Sequence, residues 1–453
     1  MTLRKNTINM TEGPILKSIV LFAFPLLVAN LLQLLYNAAD LVVVSRFAGS
    51  HAMGAVGASA SVTSMLVGSS IGISVGANVV VARCFGAKDK EGIQKAVHTS
   101  VALGGILGII ILVVALVFCK TILSLMDTPK EIFDGAVLYT RIFYLGVPGQ
   151  LIYNFCAAVL RAMGDTKRPM YILGITGIVN VVLNLIFVIC FNMDVAGVAI
   201  ATITSQYLSA IAAFRLLLKE GQEFKVIPHQ IRIYKKELIE ILKIGIPNAI
   251  SSSLISFSNV MVASAVNSFG ADAATGYAAS TSIESFVYMG MNSISQATLT
   301  AISQNYGAKN QKRLFKCMRR CLYLITVVGA VLGGLTAIFA NQLTGIYITD
   351  NPAAIEFAYI RILITGIPYF LAGIMEIFSQ TVRGLGYSTT ATVNSIWTLV
   401  GLRIVWINFV LPNHHTPVVL FSCWVVSWIL SIAAHSITIA IIKKKAMERM
   451  YAQ

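Results

Sequence analysis

Within a long apolar stretch near the start of the chain, Gln33, Tyr36, Asn37 and Asp40 are spaced at three or four residues. On a helix that spacing makes one polar stripe. At a rise of about 1.5 Å per residue, Asp40 lies roughly 10 Å below the outer end of its helix. No basic residue is expected within any apolar span of the first half. A carboxylate buried without a partner either keeps its proton or holds a cation, and both outcomes are coupling chemistry. The competing reading is a structural carboxylate in an ion pair. Asn180 and Asn184 lie four apart, one helical turn, and Thr202 and Gln206 repeat the spacing. Side-chain oxygens of this kind, joined by one carboxylate, suit Na+ or a hydrated proton, because hard cations take oxygen ligands. The competing reading is that the amides only bond neighbouring helices.

The second half carries its own polar residues in apolar surroundings. Glu284 heads a stripe with Ser280, Tyr288, Asn292 and Ser295. Charges inside spans are costly and mark functional sites by default, so Glu284 and Tyr288 are candidates for substrate or proton handling. The alternative for Glu284 is a solvated carboxylate lining a cleft. Glu376 lies deeper, with Gln380 one turn on, and Arg403 lies near mid-membrane. The two differ in depth by roughly 10 Å at 1.5 Å per residue, which argues against a direct pair. His435 reads as a packing histidine, and Met289, Met291 and Met375 as a pliable lining or ordinary core. Cys317 and Cys321 share a helix face but have no further ligands nearby, so no metal site is expected beyond Na+ at Asp40. The seven cysteines form no disulfide framework. No phosphate-binding glycine loop, HExxH or nucleophile elbow appears. The chain is therefore expected not to be an enzyme, to need no cofactor, and to draw its energy from an ion gradient or from a partner.

These residues must be held by membrane helices. The 453 residues are 57% apolar and 12% charged, with a mean hydropathy of +0.78. Soluble proteins are about 25% charged. A helix crosses the hydrocarbon core with about 20 apolar residues, and twelve such spans are expected, centred near residues 28, 67, 107, 146, 180, 204, 256, 290, 328, 370, 399 and 430. An even number puts both termini on one side. About 28 of the 34 Lys and Arg residues fall on that side, which makes it cytoplasmic. The net charge of +15 is thus mainly a topology signal, with attraction to anionic lipid headgroups added. Basic residues scattered over six loops without stacking aromatics argue against nucleic acid.

The halves repeat each other. Pro25, Phe47, Gly54 and Ala58 recur 222 residues later as Pro247, Phe269, Gly276 and Ser280. Gly86-Ala87-Lys88 recurs as Gly307-Ala308-Lys309, and Tyr139, Arg141, Gly146 and Pro148 recur as Tyr359, Arg361, Gly366 and Pro368. Arg161 and Gly164 match Arg383 and Gly386. Duplicated halves in so apolar a chain point to a transporter. The expected architecture is all-α: a six-helix lobe over 1–218, a polar cytoplasmic linker over 219–240, and a second six-helix lobe over 241–453. Small residues in span 2 (Gly54, Gly57, Gly68, Gly72, Gly76) and span 3 (Gly104, Gly105, Gly108) should let backbones approach closely. Pro25 and Pro247 predict matching kinks, either static or hinged.

Over essentially its whole length the pattern resembles the multidrug and toxic compound extrusion family. The carrying residues are Asn37-Ala38-Ala39-Asp40, the two Gly-Ala-Lys loops, Arg161-Ala162-Met163-Gly164-Asp165-Thr166, and Asn180 with Asn184. The resemblance implies two bundles that open alternately to each side. It implies antiport of amphipathic, often cationic, organic compounds against Na+ or H+. It places a first-lobe cation site on Asp40, Asn180, Asn184 and Thr202, where some members carry a second aspartate in place of Asn184. It also matches Glu284 to acids that another branch uses in the second lobe. Gln33, Tyr36, Asn37, Gln206 and Glu376 are further candidates. The expected protein is a monomer in the cell membrane, with small organic substrates and lipid as its partners. The rival reading is a flippase for lipid-linked precursors, which would need a basic central cavity. A channel or a membrane enzyme fits the duplicated halves and buried acids less well.

Overall fold

The computed structural model describes residues 7–126, 128–221 and 224–452, and among them there are helices, turns and loops but no strand. Among the described residues nine helices are individually long and apolar enough to cross a membrane, and two bent pairs raise the number to eleven. These are span 1 (Ile15–Phe47), span 2 (Ala52–Ala87), span 3 (Lys90–Leu125), the pair forming span 4 (Lys130–Leu145 with Val147–Ala162), span 5 (Lys167–Cys190) and span 6 (Asp194–Leu218). Span 7 (Lys235–Asn267), span 9 (Gln311–Ile338), the pair forming span 10 (Pro352–Gly366 with Tyr369–Gly384), span 11 (Ser388–Asn413) and span 12 (Pro417–Tyr451) follow. The helix at the eighth expected place, Ala271–Gly307, has 37 residues. It falls short in apolarity because its length carries the Ser280–Glu284–Asn292 stripe.

The duplication is written into the backbone. Spans 4 and 10 bend by 44° and 47° at matching breaks, next to Pro148 and Pro368, whose missing N–H groups cannot continue a helical ladder. Lys88 and Lys309 both take a left-handed conformation, at φ 57° and 54°, where each closes the helix before it. The next residue then caps the following helix: Gly92 N donates to Asp89 Oδ1 at 2.9 Å, and Arg313 N donates to Asn310 Oδ1 at 3.0 Å. Gly164 and Gly386 both lie at φ 90°, a conformation that costs glycine little.

By contacts the chain separates into two units, and the cuts fall inside helices. Val28–Ala249 belongs to the first unit, while Asn9–Leu27 and Ile250–Gln453 belong to the second. The two helix cuts lie two residues beyond Pro25 and Pro247, so they obey the same offset of 222 as the repeat. Within the first unit, the early part of span 7 packs on span 2, where a Cβ at Gly76 would stand 2.1 Å from the Ile241 carbonyl oxygen. The segment after span 6 is docked on the first unit. Val226 is fully buried, its N–H donates to Leu217 O at 3.1 Å, and Tyr234 N donates to Thr99 Oγ1 at 3.1 Å. Ile227 N donates to His98 Nε2 at 3.0 Å. Gln222 and Glu223 lie outside the described residues.

Glycine spacing predicts close helix approach well in some places and not in others. At Gly108 a Cβ would meet the Pro148 Cα at 2.6 Å, and at its repeat mate Gly329 it would meet the Phe370 Cα at 2.8 Å. Gly105, Gly57 and Gly68 have nothing within 4 Å, so those glycines do not serve packing inside the chain.

Gly108→Leu is therefore expected to destabilise the purified protein by about 1–3 kcal/mol through overpacking, and Gly105→Leu to leave stability unchanged. Thermal midpoints of the two detergent-solubilised variants check this, and equal midpoints would refute the packing assignment.

Candidate functional site

Spans 1 and 5 run side by side in the same direction, and their contacts build the site. Tyr36 Oη donates to the Gly174 carbonyl at 2.9 Å. The Tyr36 ring lies over Gly177, where an added Cβ would stand 1.8 Å from a ring carbon. One turn further along span 1 and two turns along span 5, Asn184 Nδ2 donates to Asp40 Oδ1. The same amide nitrogen stands 3.4 Å from Asn180 Oδ1. Asn180 and Asn184 are 5% and 0% exposed, and Asp40 is half-buried. Asn184 Oδ1 is buried with no hydrogen-bond partner. Among the described residues Asp40 has no ion pair.

This cluster fits a bound cation. The Asp40 carboxylate and the Asn180 amide oxygen converge on the Asn184 amide group, whose own oxygen is unbonded among the described residues, and hard cations take oxygen ligands of this kind. Both helices turn π-helical just beyond it, over Val44–Ala48 and Ile186–Cys190. Such turns recur at functional sites.

The structure joins three of the four residues expected to bind a cation. Thr202 donates its hydroxyl to Val198 O of its own helix at 2.9 Å, which leaves its lone pairs free. Gln206 lies instead at the bend of span 4, where a Cβ on Gly146 would meet its Oε1 at 2.0 Å. Gln33 and Asn37 are exposed. The expectation that first-half spans hold no basic residue needs correction, because Arg141 lies within span 4, although it is exposed.

In the second unit Glu284 is a paired acid that keeps part of its surface accessible. It accepts from Arg361 Nη2 in a salt bridge, with the arginine side chain 3% exposed. The guanidinium also faces the rings of Tyr277 at 4.9 Å and Trp424 at 5.6 Å, a placement that favours a cation. Among the described residues Arg361 Nε and Nη1 have no hydrogen-bond partner. A cavity of about 20 Å³ adjoins the pair, bordered by Ser280, Thr336, Thr365 and Tyr369, with room for a water-sized occupant. Tyr288 stands apart, exposed, its hydroxyl accepting from Asn292 Nδ2 at 3.4 Å. Glu376 accepts from Gln380 Nε2 at 3.5 Å. Arg403 bonds Asn259 Oδ1 at 2.7 Å rather than a carboxylate. A span of about 20 residues centred near residue 370 leaves Arg361 at its edge, whereas the bent pair begins at Pro352 and takes the arginine well inside. The available signal was its repeat mate, Arg141.

A family model described as MatE matches residues 25–186 and again residues 247–408, reproducing the offset of 222. Among characterised sequences, the chain is similar to "Probable multidrug resistance protein YoeA" of Bacillus subtilis. Identity there is 29% over 430 residues, covering 92% of this chain and 91% of the relative. It is also similar to "Multidrug export protein MepA" of Staphylococcus aureus, at 25% over 424 residues, covering 93% and 91%. Among solved structures, the fold matches the outward-facing form of a multidrug resistance MATE family transporter of the MOP superfamily. The TM-score is 0.87 at 21% identity, with full coverage of both chains. A MOP superfamily transporter from Pyrococcus furiosus, described as having a binding pocket of reverse polarity, matches with TM-score 0.87 at 22% identity, covering 100% of this chain and 99% of that one.

Two substitutions test the geometry. Glu284→Gln leaves a buried guanidinium without its counter-charge, and such losses cost about 3–5 kcal/mol. Glu284→Gln/Arg361→Gln is then expected to be more stable than Glu284→Gln alone, as thermal midpoints will read. Equal or lower stability of the double variant would show that the pair carries no such burden.

Proposed function

Because this chain belongs to the multidrug and toxic compound extrusion family, we propose that it is a secondary active exporter of amphipathic, often cationic, organic compounds. In this reading it is driven by Na+ or H+ moving inward, through alternating access. The observation that carries it is the contact of Asp40 with Asn184 beside Asn180, with Asn184 Oδ1 buried and unpartnered. Asp40, Asn180 and Asn184 hold the coupling cation, and Thr202 can add a hydroxyl oxygen. Binding neutralises the one carboxylate of the cluster. With the Asn184 amide turned over to face the ion, its orphan oxygen gains a partner too, so the occupied site is better suited to burial than the empty one.

The mechanical counterpart is the pair of prolines. The contact units change over two residues beyond Pro25 and Pro247, and each proline removes a backbone donor from its helix. The proposal takes these points as hinges, with the repeats as the moving lobes and both termini in the cytoplasm. The flippase alternative calls for a basic central cavity, whereas Arg361 is engaged by Glu284 and Arg403 by Asn259 and the Trp424 ring.

The energetics are adequate. One charge crossing 100 mV releases about 2.3 kcal/mol. At about 1.4 kcal/mol per decade, that sustains a gradient of nearly 50-fold for a neutral compound. A monovalent cationic substrate exchanged one for one cancels the electrical part, leaving only the chemical gradient of the ion.

Asp40→Asn is expected to abolish ion-driven dye efflux from proteoliposomes while leaving insertion and folding intact. Separate Na+ and H+ gradients identify the coupling ion, and efflux at the unmodified rate would sink the assignment. Asn180→Ala and Thr202→Ala are expected to raise the ion concentration giving half-maximal efflux by about tenfold or more, the loss of about 1.4 kcal/mol of binding. Dye affinity should change less. A change in dye affinity alone would move these residues to the substrate path.

A further inference from the structure

The second repeat carries a permanent cation where the first has an ion-accepting cluster. The offset of 222 takes Asn37 to Asn259, Asp40 to Val262, Asn180 to Leu402 and Thr202 to Trp424. The carboxylate is gone, replaced by a valine that is 0% exposed. One residue beyond Leu402 stands Arg403, which is 4% exposed. Its Nη1 donates to Asn259 Oδ1 at 2.7 Å and lies 3.5 Å from Ser258 Oγ. Its guanidinium carbon stands 5.3 Å from the centre of the Trp424 ring. The first, fifth and sixth spans of the repeat therefore meet around this charge. The polar contact between first and fifth spans is Asp40 with Asn184 in one repeat and Asn259 with Arg403 in the other. Span 11 is π-helical on both sides of Arg403, over Ile396–Gly401 and Trp406–Val410, as span 5 is just beyond Asn184.

The partners of Arg403 are an amide, a hydroxyl and an indole face, and among the described residues it has no salt bridge. A buried charge kept at that cost in a membrane span marks a role. The repeat-matched carboxylate is absent, and Glu284, whose charge reaches Arg403, is already bonded to Arg361. We infer that Arg403 is a tethered cation, standing in the second repeat where the first binds an exchangeable one. A guanidinium on a side chain cannot leave for either solution, so the second unit stays in its cation-filled form throughout the cycle. Each chain then has one coupling-ion site of this type, in the first repeat alone. This rests on the proposed role of Asp40.

Ion-induced shifts of the thermal midpoint test it without requiring transport. The purified protein is titrated with NaCl against choline chloride at fixed pH, and with acid in the absence of Na+. The unmodified chain should show a rise in midpoint that Asp40→Asn loses. Asp40→Asn/Val262→Asp should stay unresponsive, because Arg403 neutralises the new carboxylate. Asp40→Asn/Val262→Asp/Arg403→Gln should regain a rise, since that carboxylate must now draw a cation from solution. A response already present with Arg403 in place, or none after its removal, overturns the inference. If the triple variant cannot be purified, the order of midpoints decides: Val262→Asp above Val262→Asp/Arg403→Gln supports the inference, and the reverse order overturns it. Should Asp40→Asn keep the full ion response, the coupling role of Asp40 fails. Comparing Val262→Asp with Val262→Asp/Arg403→Gln still reads Arg403 by itself in that case.

Discussion

A charge among apolar helices must be compensated, because no bulk water stands behind it. In this chain that constraint is met in three different ways. Glu284 and Arg361 compensate each other. Arg403 is held by neutral dipoles and an indole face. Asp40 has one amide donor and, among the described residues, no basic partner. In the proposed function an ion from solution completes the last arrangement and so links the site to an external gradient.

The two repeats share a backbone plan and differ in where they place charge. The bends of spans 4 and 10, the left-handed lysines at 88 and 309 and the glycines at 164 and 386 coincide closely. Yet Arg141 is exposed while its mate Arg361 is buried and paired, and Asp40 has a valine as its mate. Backbone geometry is constrained by helix breaks and turns, which tolerate few residue types. A side chain inside a span needs only a partner, so its polarity can change if the partner changes with it.

Close approach of helices positions these groups. Gly177 admits the Tyr36 ring, and that contact places Asp40 one turn on against Asn184. In a membrane such packing replaces the hydrophobic drive that would join helices in water. The Asp165–Arg168–Glu220 network ties the loop before span 5 to the end of span 6, steadying the other flank of span 5.

Composition, spacing and internal repetition were enough to establish an all-helical membrane chain, its twelve spans and the stripe that contains Asp40. Each of these follows from short-range rules: a span needs a run of apolar residues, a stripe needs a period near 3.6, and a repeat needs only a constant offset. Whether Glu284 stood free, which glycines were crowded and what Arg403 touched depended on how helices distant in sequence face one another. Gly105 and Gly108 read alike in the sequence, and only the position of Pro148 distinguishes them. Likewise the partner of Glu284 lies 77 residues away, in a helix whose rotation is set by packing around it. Periodicity identifies the polar face of a helix, but the rotation and depth of its neighbour decide what that face meets.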